Sequence, residues 1–414
     1  MPDIFDAIVV GAGPSGLMTA GILGGRGASV LVLEKNNEAG KKILMTGRGR
    51  CNITQAESDI HKLIKAYGVN GRFLFSCFTR YSPQDVMHFF EGRGITLKVE
   101  DKGRVFPVSD HARDVVSVLK QCLHDNHVQV LYNAIVQHIT TGSENSITVH
   151  LKDKRTYTTK NIVIATGGMS YPATGSTGDG LAFARELGHT IVSPIPALVP
   201  IKIRESWAKQ MPGLSLKNVE LIALYGGKKI AGGIGEMLFT HTGISGPLVL
   251  DMSKYIISAL RNGEVSLRLN LMPDLSPAQM DDYIQKNFKK YTNKQFKNML
   301  LDLLPRMLVS IIIAVSGIDG DKPVHSVTRA ERLLLQKLLQ HIPMTAIGDL
   351  GYHAAIVTSG GVSLKEVDPK TMQSKIHDHL YFVGEVLDID GPTGGYNLQV
   401  AWSTGSAAGT AIKW

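Results

Sequence analysis

Cysteine is scarce in this chain of 414 residues: there are three, at positions 51, 77 and 122, and no C-x-x-C pair among them. That excludes a disulfide scaffold, and it offers neither a dithiol redox centre nor a cysteine zinc site, so no metal is expected. Long apolar runs are missing as well. The most apolar stretch, MLVSIIIAV at 307–315, falls far short of the roughly 20 residues that a membrane helix needs. The opening MPDIFDAIVV carries two acids and no basic residue, so it does not read as a secretory signal. No internal repeat or low-complexity segment is visible. The expected setting is cytoplasmic, with no membrane partner.

Glycine is what the chain has in plenty: 43 residues, many in short clusters where backbone must turn sharply or approach a ligand closely. Lys and Arg outnumber Asp and Glu by 44 − 36 = +8, a balance that suits anionic ligands such as phosphates. Hydrophobic residues at 43% and charged residues at 19% are those of an ordinary globular chain, and the length predicts two or three domains.

Phe5-Asp6-Ala7-Ile8-Val9-Val10 reads as a buried parallel strand ending at glycine. Gly11-Ala12-Gly13-Pro14-Ser15-Gly16 then fits G-x-G-x-x-G, and a helical pattern follows through Leu17, Ala20 and Leu23. Ala28 to Leu33 is a second apolar strand, closed by Glu34 and Lys35. This is a βαβ unit with an acid at the offset expected of a dinucleotide site. Gly11 permits the tight turn, Gly13 admits a pyrophosphate close to the backbone, and Gly16 lets the helix pack on the strand. The helix N-terminus offers free N–H groups to the phosphates. Glu34 accepts from ribose hydroxyls and would repel a 2′-phosphate.

The next segment, from Gly40 to Asn52, is glycine-rich and basic. Its Lys42, Thr46, Gly47, Gly49, Arg50, Cys51 and Asn52 are candidates for holding a stretched dinucleotide with two phosphates. Arg50 is assigned to a phosphate or the ring side, and Cys51 beside it reads as a packed thiol rather than a reactive one. Residues 128–160 alternate as a short β-meander and run into Ile164-Ala165-Thr166-Gly167-Gly168. Late in the chain, Leu380 to Val383 is another buried strand, ending at Gly384-Glu385. A glycine-rich turn (Gly391, Gly394, Gly395) then leads into a helix near Asn397 and Leu398, with Ala401, Gly405, Ala408 and Gly409 facing inward.

This set resembles the FAD domain of the glutathione-reductase-like flavoproteins. By that resemblance Glu385 holds the ribityl or pyrophosphate region, backbone near Val136 meets the adenine, and the last helix points its N-terminus at the flavin. No second G-x-G-x-x-G follows a strand, which argues against a separate NAD domain. The motifs KKILMTGRGRCN, GRVFP (103–107), IATGGMSYPATGSTGDG (164–180, with Asp179), LFTHTGISGP (238–247), TSGGV (358–362) and GEVLDIDGPTGGYNLQVAWSTG (384–405) are more specific. They occur in the order seen in the BaiN-like flavoproteins, also described as the aminoacetone oxidase family, and the resemblance spans nearly the whole chain. Pro14-Ser15 replaces two alanines common in that family, and Arg48 stands where glycine is common.

The resemblance implies an α/β fold: a Rossmann-like FAD-binding domain, parallel sheet plus β-meander, interrupted by an inserted β-rich and helical domain. Three prolines at 194, 196 and 200 mark the exit from the first domain. Short alternating strands over 197–270 and helices over 276–342, opened by a Ser276-Pro277 cap, fit the insert. The expected boundaries are 1–193, 194–350 and 351–414.

A bound flavin carries the hydride chemistry, so few side chains are obliged to be catalytic. His241 and Tyr396 are the candidate proton donors. The expected enzyme is an FAD-dependent oxidoreductase acting on a small organic substrate. The reading adopted is a reductase that takes electrons from a transiently docked NAD(P)H and adds hydrogen to a conjugated C=C. The alternative is an amine oxidase using oxygen. An RNA-acting flavoprotein ranks lower, because the cations are scattered and no RNA module is recognised. A non-catalytic FAD-binding scaffold is the third class. Nothing in the sequence specifies an oligomeric state.

Overall fold

The structure, a computed structural model, describes residues 4–142 and 146–414. Its contacts divide the chain into one unit of Met1–Pro196 with Tyr352–Trp414, and a second of Ala197–Gly351.

In the first unit, the strand Ile4–Val10 pairs in parallel with Val30–Leu33 on one side and Thr156–Ile164 on the other. Ala7, Ile8 and Val9 are wholly buried, as expected of a strand covered on both faces. Val30–Leu33 continues the parallel order to Gln129–Leu131. Thr156–Ile164 is shared between two neighbours. Its first half pairs antiparallel with Ile147–Leu151, which leads to Val136–Thr141, and its last three residues pair in parallel with Leu380–Phe382. The meander and the late strand therefore meet one sheet along a single strand.

The helix Pro14–Gly25 begins with proline at its first position, where a missing N–H is harmless. The helix Tyr396–Ala411 lies against it. A Cβ on Gly405 would stand 2.6 Å from the Ser15 carbonyl oxygen, and one on Gly409 would stand 3.0 Å from that of Thr19. The small residues of the last helix thus let the two backbones approach, and Thr19 Oγ1 donates to the Gly405 carbonyl at 3.0 Å. Residues 53–127, on which the sequence motifs are nearly silent, add a three-stranded sheet (Thr54–Gln55, Arg104–Pro107, Leu97–Glu100) and several helices.

In the second unit, six strands close into a barrel in the order Ile201–Ile203, Gly243–Ser245, Lys228–Phe239, Ser215–Tyr225, Val265–Asn270, Ile342–Asp349. Four helices, from Pro277–Lys290 to Arg329–Gln340, fill the connection before the last strand. Ser276 caps the first of them, accepting the Gln279 N–H at 3.3 Å. Among the described residues, no helix is long and apolar enough to cross a membrane.

Candidate functional site

A cleft opens in the first unit at the C-terminal ends of the parallel strands, where open α/β sheets bind ligands. It encloses about 1240 Å³, including its open mouth. The glycine fingerprint forms its floor. Gly11 has φ +104°, and a Cβ there would stand 2.6 Å from the Ala165 carbonyl oxygen. At Gly16 a Cβ would stand 2.0 Å from the Gly11 carbonyl oxygen, so this residue serves the contact between helix and strand. Gly13 differs. The only protein atom near a Cβ there is the Ala165 oxygen, at 4.0 Å. The bare backbone at Gly13 is not demanded by packing, and it faces the cleft beside the N-terminus of the helix.

Two carboxylates organise the walls. Glu34 is buried; its Oε2 accepts the Ala12 N–H at 2.8 Å, and its Oε1 accepts both the backbone N–H and the side-chain amide of Asn36, at 2.8 and 2.7 Å. Glu385 accepts the Ser170 hydroxyl at 2.7 Å and the Thr358 N–H at 2.9 Å on one oxygen. Its other oxygen meets Lys42 Nζ at 2.6 Å. Lys35 pairs with Asp179 at 2.7 Å. Pro14, Ser15, Thr46, Val136, Thr166, Gly167, Asn397 and Leu398 complete the expected residues that line the cleft. Asn36, Ser170 and Thr358 were missed. Asn36 follows Glu34 by two residues, and the other two lie inside the quoted ATGGMSYP and TSGGV motifs, so motif membership was the available signal.

The donor set fits a dinucleotide such as FAD. Open backbone and a helix N-terminus suit the phosphates, a buried acid suits hydroxyls, and Val136, Phe183 and Ala401 offer apolar contact to rings.

Nine expected residues lie outside the lining: Gly16, Gly47, Gly49, Arg50, Cys51, Asn52, Gly168, Gly384 and Gly395. Arg50, expected at a phosphate or the ring side, is engaged with side chains outside the lining. Its guanidinium pairs with Glu100 at 2.8 and 3.2 Å and with Asp110 at 3.3 Å, and it stacks 4.0 Å above the Phe106 ring. The Arg50 hydrogen bond holds the Glu100 carboxyl below its ordinary range. Gly168, Gly384 and Gly395 serve packing behind the cleft. A Cβ at these positions would stand 2.4 Å from Thr358 Oγ1, 2.5 Å from Ser15 Oγ and 2.3 Å from the Thr54 carbonyl oxygen, respectively. A Cβ at Gly47 would likewise stand 2.9 Å from the backbone nitrogen of Asn52, whose own Oδ1 is buried without a hydrogen-bond partner.

Tyr396 does not line the cleft either. Its ring packs edge-on against Tyr67 at 5.9 Å and over the Gly391–Gly394 turn. His241 belongs to the second unit, exposed in the turn between two barrel strands.

Cys51 is wholly buried, and burial pushes its thiol up to about 12; Cys77 behaves alike. A raised thiol pKa means that thiolate is absent until the pH passes the folded value. Native protein at pH 8.5 should therefore lose no more than one of its three thiols, that of Cys122, to iodoacetamide within an hour. Rapid labelling of two or three, read by mass spectrometry, would contradict this burial.

Comparison with known proteins agrees with this geometry. A family model described as "HI0933-like protein Rossmann domain" matches residues 5–411. The chain is 33% identical over 425 residues, all of both chains, to a protein of Haemophilus influenzae named ribosomal RNA dihydrouridine synthase. It is 30% identical over 407 residues, 97% of this chain and 98% of the other, to the 3-dehydro-bile acid delta(4,6)-reductase of Clostridium scindens. Among solved structures, the 3-ketosteroid delta1-dehydrogenase of Sterolibacterium denitrificans superposes with a TM-score of 0.54 at 14% identity, covering 99% of each chain. At that identity the likeness concerns the fold.

Proposed function

The chain belongs to the HI0933-like Rossmann family of FAD-dependent oxidoreductases, and on that premise we propose that it reduces a carbon–carbon double bond conjugated to a carbonyl, with NAD(P)H as electron donor. One observation carries the reading. Two relatives aligned over almost the whole chain bear names that denote the same bond change. Dihydrouridine is uridine with hydrogen added across the ring double bond beside a carbonyl, and a delta(4,6)-reductase acting on a 3-oxo steroid saturates a double bond conjugated to the ketone.

FAD, when bound, supplies hydride transfer. The rest of the work falls to the chain. The Gly13 backbone and the helix that starts at Pro14 would hold its pyrophosphate, Glu34 would take ribose hydroxyls, and Glu385 fixes Lys42 at the cleft. The last helix presents its N-terminal N–H groups at Asn397 and Leu398 to negative charge. Adding hydrogen across the bond also requires a proton. We assign it to His241, an exposed imidazole that can both donate and accept a proton; Tyr396, packed away from the cleft lining, is set aside. His241→Gln should slow substrate reduction by roughly 10²–10⁴-fold while leaving the rate at which NAD(P)H bleaches the flavin unchanged. An equal loss in both half-reactions would remove His241 from this role.

A second reading concerns the substrate. A small enone fits the bile-acid relative, whereas a uracil base within RNA fits the full-length likeness to a ribosomal RNA dihydrouridine synthase and the net charge of +8. The deciding experiment reduces the FAD-loaded protein anaerobically with NADH or NADPH, then offers a 3-oxo-4,6-diene steroid or uridine-containing ribosomal RNA. Reoxidation by one of them identifies the substrate class. A flavin that no nicotinamide reduces, with peroxide released from amines in air, would replace the reductase reading by the oxidase one.

A further inference from the structure

We propose that a second surface of the first unit, built from residues 60–76 and Lys370, docks a single-stranded stretch of RNA; this rests on the RNA reading given above. From Ile60 to Gln84 the chain has no acidic residue, while Lys62, Lys65, Arg72 and Arg80 carry +4 and His61 adds a titratable ring. Acid-free runs of this length occur elsewhere, as over 154–178; what sets this one apart is that its cations gather around one hollow. The helix Ile60–Lys65, the turns Gly68–Leu74 and the helix Phe75–Arg80 fold this segment around a hollow. His61, Lys65, Arg72, Phe73, Phe75 and Lys370 line it.

Among the described residues, Lys62, Lys65, Arg72 and Lys370 have no carboxylate within ion-pair distance, although other surface cations such as Lys294 and Lys297 are paired. Phe75 is 42% exposed, with the His61 ring 5.9 Å away. Unpaired cations for phosphates and open aromatic faces for bases, together in one hollow, are what sequence-tolerant binding of single strands requires. A membrane surface would call for several apolar side chains on a projecting face; here Val69 projects alone, 96% exposed, while both phenylalanines line a concavity.

The hollow is also joined to the cofactor cleft. Tyr67, buried beneath it, donates its hydroxyl to the Tyr396 carbonyl at 2.9 Å, and the Asn70 amide donates to the Asp388 carbonyl at 2.7 Å. The next residues in each segment, Asn397 and Ile389, line the cleft. A strand held in the hollow is therefore anchored on the backbone that borders the cofactor site.

The test uses full-length, FAD-loaded protein and a fluorescein-labelled, uridine-containing 20-nucleotide RNA, followed by anisotropy over a range of salt. The triple variant K65Q/R72Q/K370Q should bind roughly tenfold or more weakly at about 0.1 M salt, with its log–log salt slope reduced by about 2. F75A should weaken binding at least about fivefold with the slope unchanged. The charge-retaining K65R/K370R should bind like wild type, and flavin content and bleaching by NAD(P)H should be unchanged in every variant. If wild type binds and the variants bind equally well with the same slope, the surface is not the dock, although the RNA reading stands. If wild type fails to bind at about 0.05 M salt, reading and inference fall together. If it binds phosphatidylserine vesicles instead, and the triple variant does not, the surface is a membrane dock and the inference is overturned.

Discussion

Glu34→Arg should yield protein that retains almost no flavin. The carboxylate it removes is 7% exposed and accepts three N–H groups, from the Ala12 backbone and from the backbone and side chain of Asn36. A guanidinium placed there meets donors where it needs acceptors, and an uncompensated buried charge costs about 3–5 kcal/mol. The melting temperature should fall by on the order of 10 °C. Glu34→Gln separates the two roles of the residue. It keeps one acceptor oxygen and most of the packing, so it should melt closer to wild type while FAD affinity still drops about tenfold. Flavin absorbance per polypeptide and calorimetry measure both. Full flavin occupancy in Glu34→Arg would refute the assignment of the whole βαβ unit.

Gly16→Ala and Gly13→Ala should fail in opposite ways, although the two residues sit three positions apart in one motif. A methyl on Gly16 would lie 2.0 Å from the Gly11 carbonyl oxygen and 3.1 Å from Ala165 Cβ. The helix must then lift off the sheet, and overpacking of this kind costs about 3 kcal/mol or more. A methyl on Gly13 has space, its nearest neighbour being 4.0 Å away, so that variant should melt like wild type. It should nonetheless lose FAD affinity by at least about tenfold, because the methyl occupies the space a pyrophosphate would take. Equal stability loss in both variants would contradict the geometry. Equal flavin affinity in Gly13→Ala and wild type would move the phosphates elsewhere.

What was legible in the sequence was local. Strand, turn, helix, strand and acid fall within residues 5–34, and period and spacing alone identify them. The inward face of the last helix was equally readable from Gly405 and Gly409. What was hidden depended on partners far along the chain. Arg50 looks like a phosphate ligand until Glu100 and Asp110, fifty and sixty residues later, are seen to hold it. Ser170 and Thr358 acquire meaning only through Glu385, which both serve as hydrogen-bond donors. The barrel escaped because its closing strand, Ile342–Asp349, follows four helices, and alternation within a strand carries no information about closure.

The strand Thr156–Ile164 sets a timetable for the growing chain. Its last three residues wait for Leu380–Phe382, and some 216 residues separate Ile164 from Leu380. At roughly 5–20 residues per second of synthesis, that end of the sheet stays unpaired for about 10–40 s. During that time the ribosome is delivering Ala197–Gly351, a unit that spends its own pairing groups in a barrel closed by its last strand, Ile342–Asp349. The nascent first unit is thus an open template with an exposed apolar border, Ile162, Val163 and Ile164, until the C-terminal segment emerges. Glu385, Asn397 and Leu398 arrive with that segment, so the complete cofactor cleft, and with it flavin capture, waits for the segment from Leu380 to Ala411 to emerge.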